Sequence, residues 1–223
     1  MSTTDPTKVE RSQGSRFITF EGPDGGGKTT QMHLLAERLR SMGREVIETV
    51  EPGGTRIGSD IRGILLNSKN RELSPTAELL LYFASRAQNV DERITPALTR
   101  GAIVLSDRFT DSTLAYQGAG RKLGREVVMT VHEIACRGLN PDLTIVIDID
   151  SETGLQRAHA RNQTIEDKDE RRLDEEAIDF HRRVRQEYLD LANREPKRIK
   201  VINGNANPAE VAERVWKVVQ AYV

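Results

Sequence analysis

Residues 22–29 constrain the fold more than any other stretch of the chain. Gly22-Pro23-Asp24-Gly25-Gly26-Gly27-Lys28-Thr29 is a glycine, four residues and then Gly-Lys-Thr, the spacing of a loop that wraps nucleotide phosphates. Its glycines let successive backbone N–H groups curl round phosphate oxygens, while Lys28 is placed to bridge the β and γ phosphates and the Thr29 hydroxyl to meet Mg²⁺. Such a loop works between a strand and the N-terminus of a helix, whose positive dipole end faces the anion. Both flanks fit. Phe17, Ile18 and Phe20 form a β-favouring run before it, and Met32, Leu34, Leu35 and Leu39 recur at helical spacing after it, up to Gly43.

The remaining chain repeats this alternation. Val46 to Val50, Ile103 to Ser106, Leu143 to Ile149 and Lys200 to Ile202 read as further strands separated by helical patterns, which predicts an α/β fold with a parallel sheet covered on both faces. Ser74 caps a helix with Pro75 at its first position, and Tyr82 and Arg86, four apart, share a face of it. Two later helices are predicted through Ala177, Phe180, Val184, Tyr188 and Leu191, and from the capping box Asn207-Pro208-Ala209-Glu210 through Val211, Val215, Val218 and Tyr222. At 223 residues the chain is expected to be one domain over residues 16–223, behind a polar, disordered leader over 1–15.

Charge narrows the partners. With 33 Lys plus Arg against 34 Asp plus Glu, no basic excess exists to neutralise a nucleic-acid backbone, so a small anionic ligand fits better than DNA or RNA. No run approaches eighteen apolar residues, the single cysteine Cys136 cannot close an intrachain disulfide and fits a packed helix face, and no secretory h-region opens the chain. The expectation is a cytoplasmic protein without a membrane partner. His33, His132, His159 and His181 lack metal-ligand spacing.

A phosphate loop needs a carboxylate at the end of another strand. Asp107, followed by Arg108, is preferred for the Mg²⁺ shell over Asp148 or Asp150, because the neighbouring arginine adds a phosphate clamp. The guanine-reading sequence Asn-Lys-x-Asp is absent, which argues against a GTPase. A kinase for a small acceptor and a regulatory ATPase both remain open at this point. Glu166 to Glu176 has ten charged residues and only Leu173 as an apolar anchor, so it is expected to be mobile.

Phe20-Glu21-Gly22-x-Asp24-Gly25-x-Gly27-Lys28-Thr29-Thr30, Glu51-Pro52-Gly53-Gly54-Thr55, Asp107-Arg108-Phe109 and Ala115-Tyr116-Gln117-Gly118 together resemble bacterial thymidylate kinases in order and spacing, from about Phe17 to the C-terminus. The resemblance implies a three-layer α/β/α P-loop fold with a five-stranded parallel sheet and a mobile lid over residues 157–173, in a homodimer. It implies transfer of the ATP γ-phosphoryl group to thymidine monophosphate (dTMP), with Mg²⁺, in dTTP biosynthesis. ATP would be held by residues 22–30, Gly22 to Thr30, with Arg157 and Arg161 on the lid side. Asp24 would bind the deoxyribose 3′-hydroxyl, Arg62 and Arg108 would face the acceptor phosphate, and Tyr82 would stack on thymine. Arg86, Thr113 and Gln117 would read the base edge, and Tyr116 would crowd the sugar 2′ position. Glu51 and Asp107 resemble an acidic pair near the metal and its waters. Arg172 resembles the lid arginine of members whose loop, like this one at Gly25, carries none. Lys28, Arg108 and Arg172 would then stabilise the transition state. Two positions depart from the family pattern: Val50 stands where relatives usually carry an arginine for the acceptor phosphate, so that another group such as Arg56 compensates or affinity is lower, and His159 stands where some relatives have another lid-side arginine.

Overall fold

The computed structural model describes residues 11–164 and 172–223 and, for 161–164, the backbone alone. Five strands among them, β1 (Arg16–Glu21), β2 (Val46–Val50), β3 (Ile103–Asp107), β4 (Leu143–Asp148) and β5 (Ile199–Asn203), form one parallel sheet in the order β2-β3-β1-β4-β5. β1 is central, with Phe20 opposite Asp107 of β3 and Ile145 of β4.

Alternation along the strands builds the two covered faces. Ile18, Phe20, Ile103, Leu105, Ile145 and Ile147 point to one face, where α1 (Lys28–Ser41) and α9 (Pro208–Val219) supply Leu35, Leu39, Val211 and Val215. Phe17, Val104 and Val146 point to the other and meet Leu79 and Phe83 of α3 (Pro75–Asn89), Val128 of α6 (Arg125–Cys136) and Val184 and Tyr188 of α8 (Ile178–Arg194). Burying each such large apolar side chain contributes roughly 1.5–3 kcal/mol. The α3 cap forms as the sequence predicts, Ser74 Oγ accepting from Ala77 N–H at 3.3 Å, and so does the reciprocal Asn207–Glu210 box of α9.

Shorter elements place the site: α2 (Arg56–Leu66), α4 (Thr95–Thr99) after a π-helical Val90–Ile94, α5 (Thr110–Thr113) followed by a π-helical Leu114–Gly120, and α7 (Ser151–Thr164). No described helix is long and apolar enough to cross a membrane.

Contacts occur in two stretches expected to be disordered or mobile. Within residues 11–15, assigned to a disordered leader, Arg11 pairs with Asp142, Ser12 N–H donates to Leu98 O at 3.1 Å, and Ser15 is buried, while residues 11–14 are exposed. Residues 172–176, assigned to a mobile stretch, are tethered by Arg172 to Glu78, Glu175 to Arg71 and Glu176 to Arg121. The rest of that stretch lies outside the described residues, as do residues 1–10.

Candidate active site

The phosphate loop leaves the C-terminal end of β1 and enters α1, in the setting its sequence requires. Two of its glycines have φ values of +125° (Gly22) and +72° (Gly25), and a Cβ on them would lie 2.3 Å from Ile147 O and 2.2 Å from Gly154 O. Strand β4 and helix α7 therefore press on the loop backbone so closely that only glycine fits. Lys28 is buried and folds over the loop, donating to Gly22 O at 3.1 Å and Pro23 O at 2.8 Å. Burial, reinforced by the nearby Arg108 charge, pushes its ammonium down to about 8.

Thr29 Oγ1 donates to Asp107 Oδ2, bringing the two expected Mg²⁺ oxygens together at the end of β3. Asp148, the alternative, is engaged by both Nε and Nη2 of Arg185 at 2.7 and 2.9 Å. Among the described residues no cluster of three acidic, imidazole or thiol ligands occurs. A hydroxyl and a carboxylate beside a phosphate loop suit Mg²⁺, which takes few protein oxygens and fills its octahedron with phosphate oxygens and water.

Arg108 is the second centre of charge. Its φ is +73°, a left-handed conformation unusual for a residue with a side chain, and it turns the guanidinium back over the loop. Nη2 donates to Asp24 Oδ1 at 2.6 Å, and Tyr116 OH donates to Asp24 Oδ2 at 2.5 Å. Burial opposes ionisation of Asp24, but Arg108 and Lys28 outweigh it and hold the carboxyl well below its usual range. Glu21 lies behind this pair. It accepts Phe109 N–H at 2.7 Å, the Ser112 hydroxyl, and Tyr188 OH at 3.2 Å, while Ser112 Oγ and Tyr188 OH accept from Arg108 Nη1 at 3.0 and 3.2 Å. The strained turn and the guanidinium are thus both pinned through one buried carboxyl.

A cavity of about 610 Å³ is lined by the loop residues Asp24, Lys28 and Thr29 and also by Tyr82, Arg86, Thr113 and Gln117. Arg86 is 1% exposed, its Nε 2.5 Å from Glu51 Oε2 and its guanidinium 4.7 Å from the Phe83 ring centroid. Glu51 is also held by Asn89 Nδ2 at 3.0 Å, so its carboxylate anchors Arg86. Arg86 Nη1 and Thr113 Oγ1 are buried without a hydrogen-bond partner. Buried polar atoms are nearly always paired, and two orphans in one cavity wall fit the edge of an absent polar ligand. Arg62 also lines the cavity, where Nη1 donates to Pro52 O at 3.1 Å.

Three expected residues do not line this cavity. Arg172 is one of them. Its Nε donates to Leu65 O and its Nη1 to Glu78 Oε2, each at 2.6 Å, because the buried Glu78 carboxylate needs cations around it. Arg56 is mostly exposed, pairs with Asp60 at 3.1 Å and does not line the cavity. Arg157 is exposed on α7 beside the loop, where a Cβ on Gly25 would lie 3.0 Å from its own Cβ. The side chain of Arg161 is outside the described set. Sequence reasoning gave no role to Glu21, Ser112, Tyr188, Glu78, Asn89 or Gly154. Glu21 precedes the loop glycine directly and stands in the motif that carries the resemblance, and these were the signals available for it.

The family model described as thymidylate kinase matches residues 20–215. A thymidylate kinase of Pelobacter propionicus is 52% identical over 199 residues, covering 89% of this chain and 91% of its own. That of Geobacter sulfurreducens is 50% identical over 202 residues, covering 91% and 95%. The crystal structure of the Ehrlichia chaffeensis thymidylate kinase superposes with a TM-score of 0.75 at 35% identity, over 93% of this chain and 99% of that one. Likeness of this extent takes in the phosphate loop, the cavity and the sheet that positions both, and the chain belongs to the thymidylate kinase family.

Proposed function

We propose that the chain transfers the γ-phosphoryl group of ATP to dTMP with Mg²⁺, giving dTDP and ADP, as a cytoplasmic homodimer. The observation that carries this reading is one cavity containing both the phosphate loop and a wall with two unpartnered buried polar atoms, Arg86 Nη1 and Thr113 Oγ1.

The acceptor phosphate is anionic at neutral pH, so no side chain has to abstract a proton from it. The chain's task is to place charge and exclude water. In this reading the loop N–H groups from Gly22 to Thr30, with Pro23 at the turn, hold the donor phosphates and Lys28 swings from its carbonyl partners onto them. Bound Mg²⁺ would neutralise charge on the donor phosphates, and Thr29 and Asp107 are the residues that would hold it. Arg108 and Arg62 face the acceptor phosphate, Asp24 takes the 3′-hydroxyl, and Tyr116 closes the 2′ side of the sugar. Tyr82 stacks on thymine, while Arg86, Thr113 and Gln117 meet its polar edge. Glu51 acts by holding Arg86. Arg157 flanks the donor from α7, and Arg161 is assigned to the donor side by the resemblance alone.

Arg172 over the transferring group requires its guanidinium to leave Glu78 and Leu65. Arg172→Ala separates two roles: a lost kcat at unchanged Tm for a phosphoryl contact, a lowered Tm with kcat retained for an anchor. The contacts described support the anchor. The homodimer is supported by the exposed apolar residues Val127 and Ile134 on α6, Ile134 being 76% exposed, and Leu80 on α3, a helix that packs against α6.

A coupled assay of ADP formation against thymidine, deoxyuridine, uridine, cytidine and adenosine monophosphates tests the reading. Fast turnover with dTMP is expected; equal ADP release without acceptor would overturn it in favour of a P-loop ATPase.

A further inference from the structure

Glu78 lies in the first turn of α3 and is 0% exposed. Four N–H contacts converge on its two oxygens: Gln117 Nε2 at 2.8 Å and Arg121 Nε at 3.2 Å on Oε1, Arg121 Nη2 at 3.1 Å and Arg172 Nη1 at 2.6 Å on Oε2. Flanked by two guanidinium groups, the carboxylate is ionised, and an ionised carboxylate only accepts hydrogen bonds. The Gln117 amide therefore has one allowed polarity. Its NH₂ faces Glu78, and its carbonyl oxygen is the group left for the cavity that Gln117 lines.

Amide polarity matters at a pyrimidine edge. Thymine and uracil carry a hydrogen on N3, a donor; cytosine carries a lone pair there and an amino group at C4. The Arg86 guanidinium is a donor whichever base arrives, so it meets the 4-oxo group of thymine without needing orientation. An unrestrained glutamine could turn over and offer NH₂ to cytosine N3.

We propose that Glu78 is a positioning residue for base selection: it locks the Gln117 amide with oxygen toward the acceptor, so that a pyrimidine with N3–H is taken and cytosine is refused. This rests on the reading of Gln117 as a base contact. The same carboxylate also fixes Arg172, tying the described end of the charged stretch to the wall of the base site.

Dissociation constants of dTMP, dUMP and dCMP, the last by competition against dTMP, are to be measured by calorimetry on the full chain as wild type, Glu78→Gln and Gln117→Leu. In Glu78→Gln the residue at 78 can offer either amide face, so Gln117 can flip. The preference for dTMP over dCMP should fall by about tenfold or more, the scale of one unpaired buried polar contact. The preference for dTMP over dUMP should stay as in wild type, because both carry N3–H. A folded Glu78→Gln protein with the wild-type dTMP-to-dCMP ratio overturns the proposal, and so does a parallel change in the dUMP ratio, which marks general loosening. Gln117→Leu keeping the wild-type ratios removes the base reading and the proposal with it; Gln117→Leu losing discrimination while Glu78→Gln keeps it removes the proposal alone. Should Glu78→Gln not fold because Arg121 and Arg172 lose their counter-ion, Glu78→Gln with Arg121→Gln deletes a matched pair of charges and is read by the same ratios.

Discussion

At Lys28 a buried ammonium is held by two backbone carbonyls, ready to exchange them for phosphate oxygens. Lys28→Ala should lower turnover on the order of 10²- to 10³-fold, with Tm from circular dichroism little changed, since no apolar packing is lost. Tyr82 is buried to 9% exposure in the cavity wall. Base stacking of roughly 1–3 kcal/mol means that Tyr82→Ala should raise the KM for dTMP about tenfold and leave the KM for ATP nearly unchanged; equal rises would make Tyr82 a core side chain and no more. Glu21 gives a pH signature. Burial first, then the Asp111 charge, raises its carboxyl to about 7, against the opposing pull of Ser112, Arg108 and the Phe109 N–H. A raised carboxyl pKa adds stability that is full below the unfolded value near 4.5 and lost as pH climbs through 7. Glu21→Gln, neutral at every pH, lacks that loss. Its Tm relative to wild type should rise between pH 5 and 8, and a difference constant with pH would contradict the burial argument.

Helix α7 reaches the phosphate loop through one pair of glycines. Beyond the Gly25 contact, a Cβ on Gly154 would lie 2.6 Å from Asp24 O. Gly154→Ala therefore pushes helix and loop apart, at a cost of about 1–3 kcal/mol, and should lower Tm by several degrees while weakening ATP binding in a thermal-shift titration. An unchanged ATP affinity would mean that the loop is not seated on α7. Elements of this kind divide into those the sequence displays and those it hides. The strands and the capped helices α3 and α9 were legible because apolar alternation and Ser74 or Asn207 are local signals. The π-helical turn at Leu114–Gly120, which presents Tyr116 and Gln117, carries no helical period and was read only through family resemblance. Glu78 and Arg172 were unreadable for a different reason. A charged residue is usually solvated, and only the folded chain shows that these two meet across 94 positions of sequence.

On the scale of the whole molecule, the parallel sheet explains why the site stands at its C-terminal edge. The ends of β1, β2 and β3 deliver Glu21, Glu51 and Asp107 to one rim, and the loop opens from the central strand. That rim was legible from the strand-loop-helix pattern, whereas the hydrogen-bonded layer beneath it was not. The dimer is tested on the opposite side of the helices: Ile134→Lys puts a charge among these exposed apolar residues and should shift the eluting species from dimer to monomer mass, while a monomeric wild type would remove the proposal. The central claim is that the loop and the cavity form one phosphoryl-transfer site. Its most direct test is a single-turnover reaction with γ-labelled ATP and dTMP. The account predicts that the label appears in dTDP, in step with ADP, and that omission of dTMP leaves it on ATP. Label released as inorganic phosphate at the same rate with and without dTMP would contradict it.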